Sequence, residues 1–286
     1  MLEATGLSSY GFTYDNWGAN PATTPGTSVT PGASNAEGTF TQIASSGNIA
    51  QDCYWLYLAM SGGNTSANQK DHLLDIGVDP AGGTSYTAVI SNIVCGASAS
   101  AGSGVNGPVS FLFPFFIKSG SSVAVRIQGN NATAGTVRVS AKFWGQPASP
   151  ENVPVGQYAE TIGTITNSQG VSFTPGNAAD GTWASLGTTT NALWWWQLGV
   201  QLSNATSSGN PCYVDLAYGD ATNKFQITRL FIYTGTTEAS ADSFKCNLAL
   251  PNCFKPVPGG STIYVRGRCS AAPDSGWNAV AIGIGG

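Results

Sequence analysis

The one cluster of side chains in this sequence suited to metal or catalytic chemistry is Asp71, His72, Asp75 and Asp79, with Asp52 a little earlier. A histidine among carboxylates is the raw material of a metal site or of an acid–base pair. Successive residues of a strand face opposite ways, however, so His72 and Asp75, three apart, point to opposite faces and cannot converge. His72 is also the single histidine of the chain, so every candidate serine nucleophile would depend on it as base. No Gly-x-Ser-x-Gly elbow is present. The glycine-rich stretch from Gly96 to Gly104 has no following lysine and opens no helix, so it reads as a mobile surface loop rather than a phosphate cradle. The expectation is therefore no catalytic residue, no metal and no cofactor, and a protein that is not an enzyme. Asp75, and Asp215 at the matching place further on, are expected to be structural, satisfying the backbone donors of an adjoining turn.

Other residue types point to contact rather than chemistry. Trp194, Trp195 and Trp196 are consecutive, so in a strand one large ring must turn away from its own core. The earlier segment containing Tyr54 and Trp55 is likewise aromatic, and Phe113 and Phe115 lie in an apolar run too short to span a membrane. These seven residues are candidate interface positions, against a partner domain or a neighbouring subunit. The rival reading of the tryptophans is a stacking platform for sugar rings. Arg126 and Arg266 recur at one place in two similar segments and are expected to hold structural partners such as carboxylates or loop carbonyls. Six cysteines lack the paired spacing of zinc sites. Thiols are expected reduced and buried, with Cys246, Cys253 and Cys269 a candidate disulfide cluster after release into an oxidising medium.

The elements that position these residues are written twice. Thr30-Pro31-Gly32 before Glu37-Gly38-Thr39-Phe40 matches Thr174-Pro175-Gly176 before Asp180-Gly181-Thr182-Trp183. Leu74-Asp75-Ile76 matches Val214-Asp215-Leu216, and Val123-Ala124-Val125-Arg126 matches Ile263-Tyr264-Val265-Arg266. The matches keep one register, about 140 residues apart, as tandem copies of one domain do. Period-two alternation in Val123 to Gln128 and Val137 to Phe143, with Gly/Asn/Ser/Pro turns between short apolar runs, predicts strands throughout. The fold class is all-β: two tandem copies of a β-sandwich or jelly-roll-like domain. The expected division is an N-terminal arm or long loop over 1–28, a first sandwich over 29–145, a proline-rich linker over 146–154 and a second sandwich over 155–286.

Composition narrows the function classes. In 286 residues only 9% are Asp, Glu, Lys or Arg, against about 25% in ordinary globular proteins. With 11 basic and 15 acidic residues, no nucleic-acid or membrane surface is expected, since both need clustered Lys and Arg. The first residues show no basic and apolar leader, so synthesis in a cytoplasm is expected.

The strings Leu73-Leu74-Asp75-Ile76-Gly77-Val78-Asp79-Pro80-Ala81-Gly82-Gly83-Thr84, Gly120-Ser121-Ser122-Val123-Ala124-Val125-Arg126 and Gly135-Thr136-Val137-Arg138-Val139 resemble a β-domain of accessory structural proteins in tailed bacteriophage virions. The resemblance implies a virion protein made in the bacterial cytoplasm, a capsid decoration or head/neck accessory docking as a symmetric homo-oligomer, a trimer. Its partners would be other virion proteins of the major capsid, neck or tail. The alternative is a tail- or head-borne adhesin for host surface glycan.

Overall fold

Residues Val137, Val139, Ala141, Phe143 and Gly145 are buried and the residues between them are half-buried, the two-residue period of a strand with one face in a core. The computed structural model describes residues 12–15, 26–62, 70–97, 109–129, 136–145, 155–163, 170–201, 211–233, 243–246, 256–271 and 277–286. Among them every regular element is a β-strand, as the alternation predicts.

The first half contributes β1 (Phe12–Asp15), β2 (Thr27–Val29), β3 (Thr41–Ala44), β4 (Cys53–Gly62), β5 (Lys70–Asp79), β6 (Thr87–Ala97), β7 (Val109–Phe113), β8 (Ser122–Gly129) and β9 (Val137–Gly145). One sheet has the order β1-β9-β4-β7, with β2 also on β9, and the facing sheet has the order β3-β8-β5-β6. The second half contributes β10 (Tyr158–Ile162), β11 (Val171–Phe173), β12 (Gly176–Asn177), β13 (Ala184–Thr188), β14 (Trp195–Gln201), β15 (Pro211–Gly219), β16 (Lys224–Tyr233), β17 (Ser243–Cys246), β18 (Thr262–Cys269) and β19 (Trp277–Gly285). Its sheets are β10-β19-β14-β17, with β11 on β19, and β12-β18-β15-β16, with β13 on β18. The chain changes sheet as it proceeds and both halves do so in the same order, which is jelly-roll topology written twice. No sheet takes strands from both sides of residues 146–154, which lie outside the described residues.

Each half has its own core. Leu56, Leu58, Leu74, Ile76, Phe111, Val125 and Phe143 fill the first, and Trp196, Leu198, Val214, Leu216, Leu230, Val265 and Trp277 the second. The arm or long loop expected over 1–28 is corrected in two places. Phe12–Asp15 and Thr27–Val29 both pair antiparallel with β9, where they satisfy backbone groups that an uncovered strand edge would leave unpaired. Residues 1–11 and 16–25 lie outside the described residues, as does 98–108, which holds most of the expected glycine-rich loop.

Candidate functional site

Asp75 is the centre of a charge cluster on the outer face of the first half. Its neighbours Leu74 and Ile76 enter the core, so Asp75 faces the other way, yet it is only 3% exposed. Arg126, directly opposite on β8, donates from Nε to Oδ2 at 2.9 Å and from Nη2 to the same oxygen at 2.8 Å. Its Nη1 reaches Glu37 Oε2 at 2.6 Å, and the guanidinium lies 4.7 Å from the Phe40 ring centroid. The Phe40 ring needs a bare strand beneath it: a Cβ on Gly77 would stand 2.6 Å from that ring. The second Asp75 oxygen accepts the Asn92 backbone N–H at 2.7 Å, presented by a bulge in β6 where Asn92 takes a positive φ of 60°. Asp75 thus anchors a bulge and a loop. The turn-capping role expected of it falls to Asp79, which accepts the Ala81 and Ser85 backbone N–H groups, each at 2.9 Å.

The second half repeats the arrangement with one addition. Arg266 donates from Nε to Asp215 Oδ2 at 3.0 Å and reaches Asp180 Oδ2 at 2.8 Å, with Trp183 4.4 Å from its guanidinium. Where the first half offers a bulge, Arg229 stands directly across from Asp215 on β16 and donates to both carboxylate oxygens, at 2.6 and 2.9 Å. Burial by itself would raise the Asp215 carboxyl, but the hydrogen bonds from Arg229 and Arg266 outweigh it and hold its pKa below the ordinary value. Glu37 moves the other way, pushed up by burial and by the neighbouring Asp75 against the pull of Arg126. Carboxylates clamped by guanidinium forks have their lone pairs occupied, so these clusters are built to pin a loop across a sheet. Glu37, Asp180 and Arg229 were not among the residues expected here. The signal for the first two was in the repeat itself, because Glu37 to Phe40 and Asp180 to Trp183 are matched segments.

The disulfide expectation is corrected. Cys269 is bonded to Cys212, not to Cys246 or Cys253, because Cys212 and Cys269 are directly opposed on β15 and β18. Cys246 lies on β17 in the other sheet, and Cys253 lies outside the described residues. The matching pair in the first half is His72 opposite Gly129, with His72 buried at 1% exposure. Cys53 and Cys95 are buried thiols that donate to the Gln51 and Ile93 carbonyls. Among the described residues no group of three or more His, Cys, Asp or Glu is placed to hold a metal.

The candidate aromatic residues separate into buried and open sets. Trp196 is 1% exposed in the core of its own half. Trp195, on the opposite face of β14, is 3% exposed and belongs to the core cluster of the first half, with its ring centroid 5.5 Å from that of Phe113. Trp194 is partly buried against the same cluster. The sugar-platform reading of this trio is therefore corrected, since two of its three rings have no open face. Phe113 and Phe115 are corrected as contacts for another chain, because both are buried within this one. Tyr54 and Trp55 remain half-buried.

Trp195 belongs to a junction between the halves. Strand β6 crosses all of β10, β19, β14 and β17. Leu73 and Val94, on the outer face of β5 and β6, form a buried cluster with Val280 of β19. Gly199 admits Val94, whose side chain would lie 2.6 Å from any Cβ there. Thr161 donates to the Ser91 carbonyl at 2.6 Å, and Gly156 exchanges backbone hydrogen bonds with Pro114 and Phe116, both at 2.8 Å. In the second half the corresponding outer face is open. Tyr213 is 42% and Phe231 58% exposed, their rings meet edge-on at 5.4 Å, and the Arg229 guanidinium lies 5.4 Å from the Tyr213 ring.

No family model and no curated protein matches the sequence. Among solved structures, PNGF-II is similar at 10% identity and TM-score 0.39, over 91% of this chain and 63% of that one, so the chain spans less than two thirds of it. A peptide-N(4)-(N-acetyl-β-D-glucosaminyl) asparagine amidase is similar at 10% identity and TM-score 0.35, over 90% of this chain and 95% of that one. The tandem CBM22-1-CBM22-2 domain of Paenibacillus barcinonensis Xyn10C is similar at 10% identity and TM-score 0.26, over 85% and 82%. The expectation that this chain is not an enzyme is corrected by the amidase among these structures. Likeness at this level transfers no activity and no site.

Proposed function

We propose that this protein is an accessory structural component of a tailed-bacteriophage particle, a capsid decoration or head/neck protein that docks as a symmetric oligomer and stabilises the particle. The observation that carries the reading is the open Tyr213 and Phe231 pair with Arg229 beside it. A large aromatic pair next to an arginine, on a surface otherwise short of charge, has the composition of a protein-contact face. Jelly rolls recur in viral shells, where stacked rigid sheets offer flat faces to neighbours. The sequence strings that resemble phage accessory proteins point the same way.

The test is imaging of purified particles carrying a tagged copy of this chain. Label at a fixed, symmetric set of positions on head or neck supports the reading, as does loss of particle resistance to heat when the chain is omitted. Particles that never carry the protein overturn it. Label confined to a tail tip, together with saccharide binding in a glycan array, assigns the adhesin role instead.

A further inference from the structure

The junction between the two halves is built from one outer face of each, and among the described residues each half also carries the type of face that the other contributes. The strand registers make the correspondence residue by residue. Leu73 stands opposite Val94 across β5 and β6, and Tyr213 stands opposite Phe231 across β15 and β16. The first pair is covered by Val280; the second is open to solvent. On the other side of the junction, Trp195 stands opposite Ile284 and Gly199 opposite Val280. Their counterparts are Trp55 opposite Trp144 and Ala59 opposite Ser140 on β4 and β9. Trp195, Ile284 and Val280 are buried at the junction, whereas Trp55, Ala59, Ser140 and Trp144, on the corresponding outer face of the first half, are half-buried.

We propose that Tyr213 and Phe231 dock on the Trp55, Ala59, Ser140 and Trp144 face of a second copy of this chain, repeating between chains the junction that joins the halves within one. The occupant is fixed by continuity with that junction: the open second-half face corresponds to the face that already receives a β4/β9-type sheet, and the half-buried outer face of β4 and β9 is of that type. Small residues lie at the centre of the receiving face in both cases, Gly199 in one and Ala59 with Ser140 in the other, which lets an opposing side chain approach the backbone closely. Lys142 and Arg138 make the free face more polar than its counterpart, as befits an interface between chains that fold before they meet. The contact joins unlike faces, so it is head-to-tail. Copies related by it form a ring if the rotation closes and a filament if it does not. This deepens the reading above by giving its oligomer two named faces, and it is testable without particles.

The experiment is sedimentation velocity of the full chain over a wide concentration range, with two variants. Wild type is expected to sediment as species larger than the 29.3 kDa chain. A donor-face variant, Tyr213→Ser with Phe231→Ser, and a receiving-face variant, Ala59→Arg, are each expected to stay monomeric while keeping the wild-type circular dichroism. Mixed in equal amounts, they retain one intact pair of faces between them and are expected to form a dimer that grows no further. The dimer formed on mixing also shows that both variants are folded; Ser140→Arg replaces Ala59→Arg if the latter loses the strand spectrum. Wild type that is monomeric at every concentration overturns the proposal. Self-association that survives the receiving-face variant but not the donor-face one also overturns it, because that is a like-to-like dimer. A monomeric chain whose saccharide binding is lost in the donor-face variant makes the aromatic pair a sugar platform and overturns it equally. Failure here with particle imaging still positive removes the docking face and leaves the particle role standing.

Discussion

The bond between Cys212 and Cys269 gives the second half a constraint that the first half lacks at the matching place, where His72 faces Gly129. The two cysteines are 57 residues apart in sequence. Opening a loop of that length returns to the unfolded chain an entropy worth about 4 kcal/mol in the chain-entropy treatment. For a unit somewhat above one hundred residues, a loss of that size lowers the melting temperature by on the order of 10–20 °C. The perturbation is reduction of protein first held in an oxidising buffer, followed by alkylation. The assay is calorimetry joined to amide exchange resolved by peptide, which lets the first half serve as an internal control. Backbone amides of β15 and β18 are expected to lose protection on reduction while those of β5 and β8 keep theirs. Two results refute the reasoning: a non-reducing peptide map in which Cys212 and Cys269 are both alkylated, or equal loss of protection in both halves.

Three further outcomes follow from the same geometry. Arg126→Met strands Asp75, whose side chain is 4% exposed, and is expected to cost on the order of 3 kcal/mol in urea unfolding. Arg229→Met leaves Arg266 on Asp215 and removes a side chain that is 45% exposed, so a loss of about 1 kcal/mol or less is expected; equal losses would contradict this account. Because Asp215 titrates lower in the folded chain than in the unfolded one, its stabilisation is complete above the ordinary aspartate value of about 4 and drains away as pH falls through its lowered folded value. Glu37, raised in the folded chain, has the opposite sign and loses stability as pH rises through its window. Unfolding free energies measured across acid pH should therefore lose part of their fall on acidification in Asp215→Asn, and a curve parallel to wild type would count against the cluster. Gly156→Val puts a Cβ 1.9 Å from Ile284 Cγ2 and 2.9 Å from the Pro114 carbonyl oxygen, and is expected to destabilise the junction by about 1–3 kcal/mol; an unchanged urea midpoint would show that the two segments do not meet there.

The long strands were legible because each carries its own signal. Val137 to Phe143 alternates, and the observed strand runs Val137–Gly145 with that alternation intact. Short strands were not legible: Phe12–Asp15 and Thr27–Val29 have too few residues to establish a period, and they are strands because β9 offers them a partner. The same difference governs the sites. Arg126 and Arg266 could be singled out by their repeated position, but the identity of their second carboxylates depends on a loop folding back across a sheet. The disulfide was misassigned because sequence proximity of Cys246, Cys253 and Cys269 is no guide to pairing, whereas cross-strand register places Cys212 against Cys269. Trp194 to Trp196 was legible as one ring too many for a single core. Which ring turned outward, and that its cover was the first half of the same chain, required the packing of β6 on the second-half sheet.

That packing also bears on the open face of the second half. In an array of stacked repeats each unit covers its neighbour, and the terminal units keep a polar outer face so that the stack stops and stays soluble. Here the junction face of the first half carries Leu73 and Val94, both covered, and the equivalent positions of the second half carry larger rings, Tyr213 and Phe231, both open. A polar cap would place charged or amide side chains there, and the second half does so only in part, with Arg229 standing over Tyr213. Arg229 is itself held by Asp215 through two hydrogen bonds, so its guanidinium is already oriented beside the aromatic pair before any partner arrives. A fixed arginine next to fixed rings loses little freedom on docking, and less freedom lost leaves more of the contact energy as affinity. The carboxylate cluster and the open aromatic face are on this reasoning one device: Asp215 pins the strand and the arginine, and the pinned arginine completes the surface proposed to meet another chain.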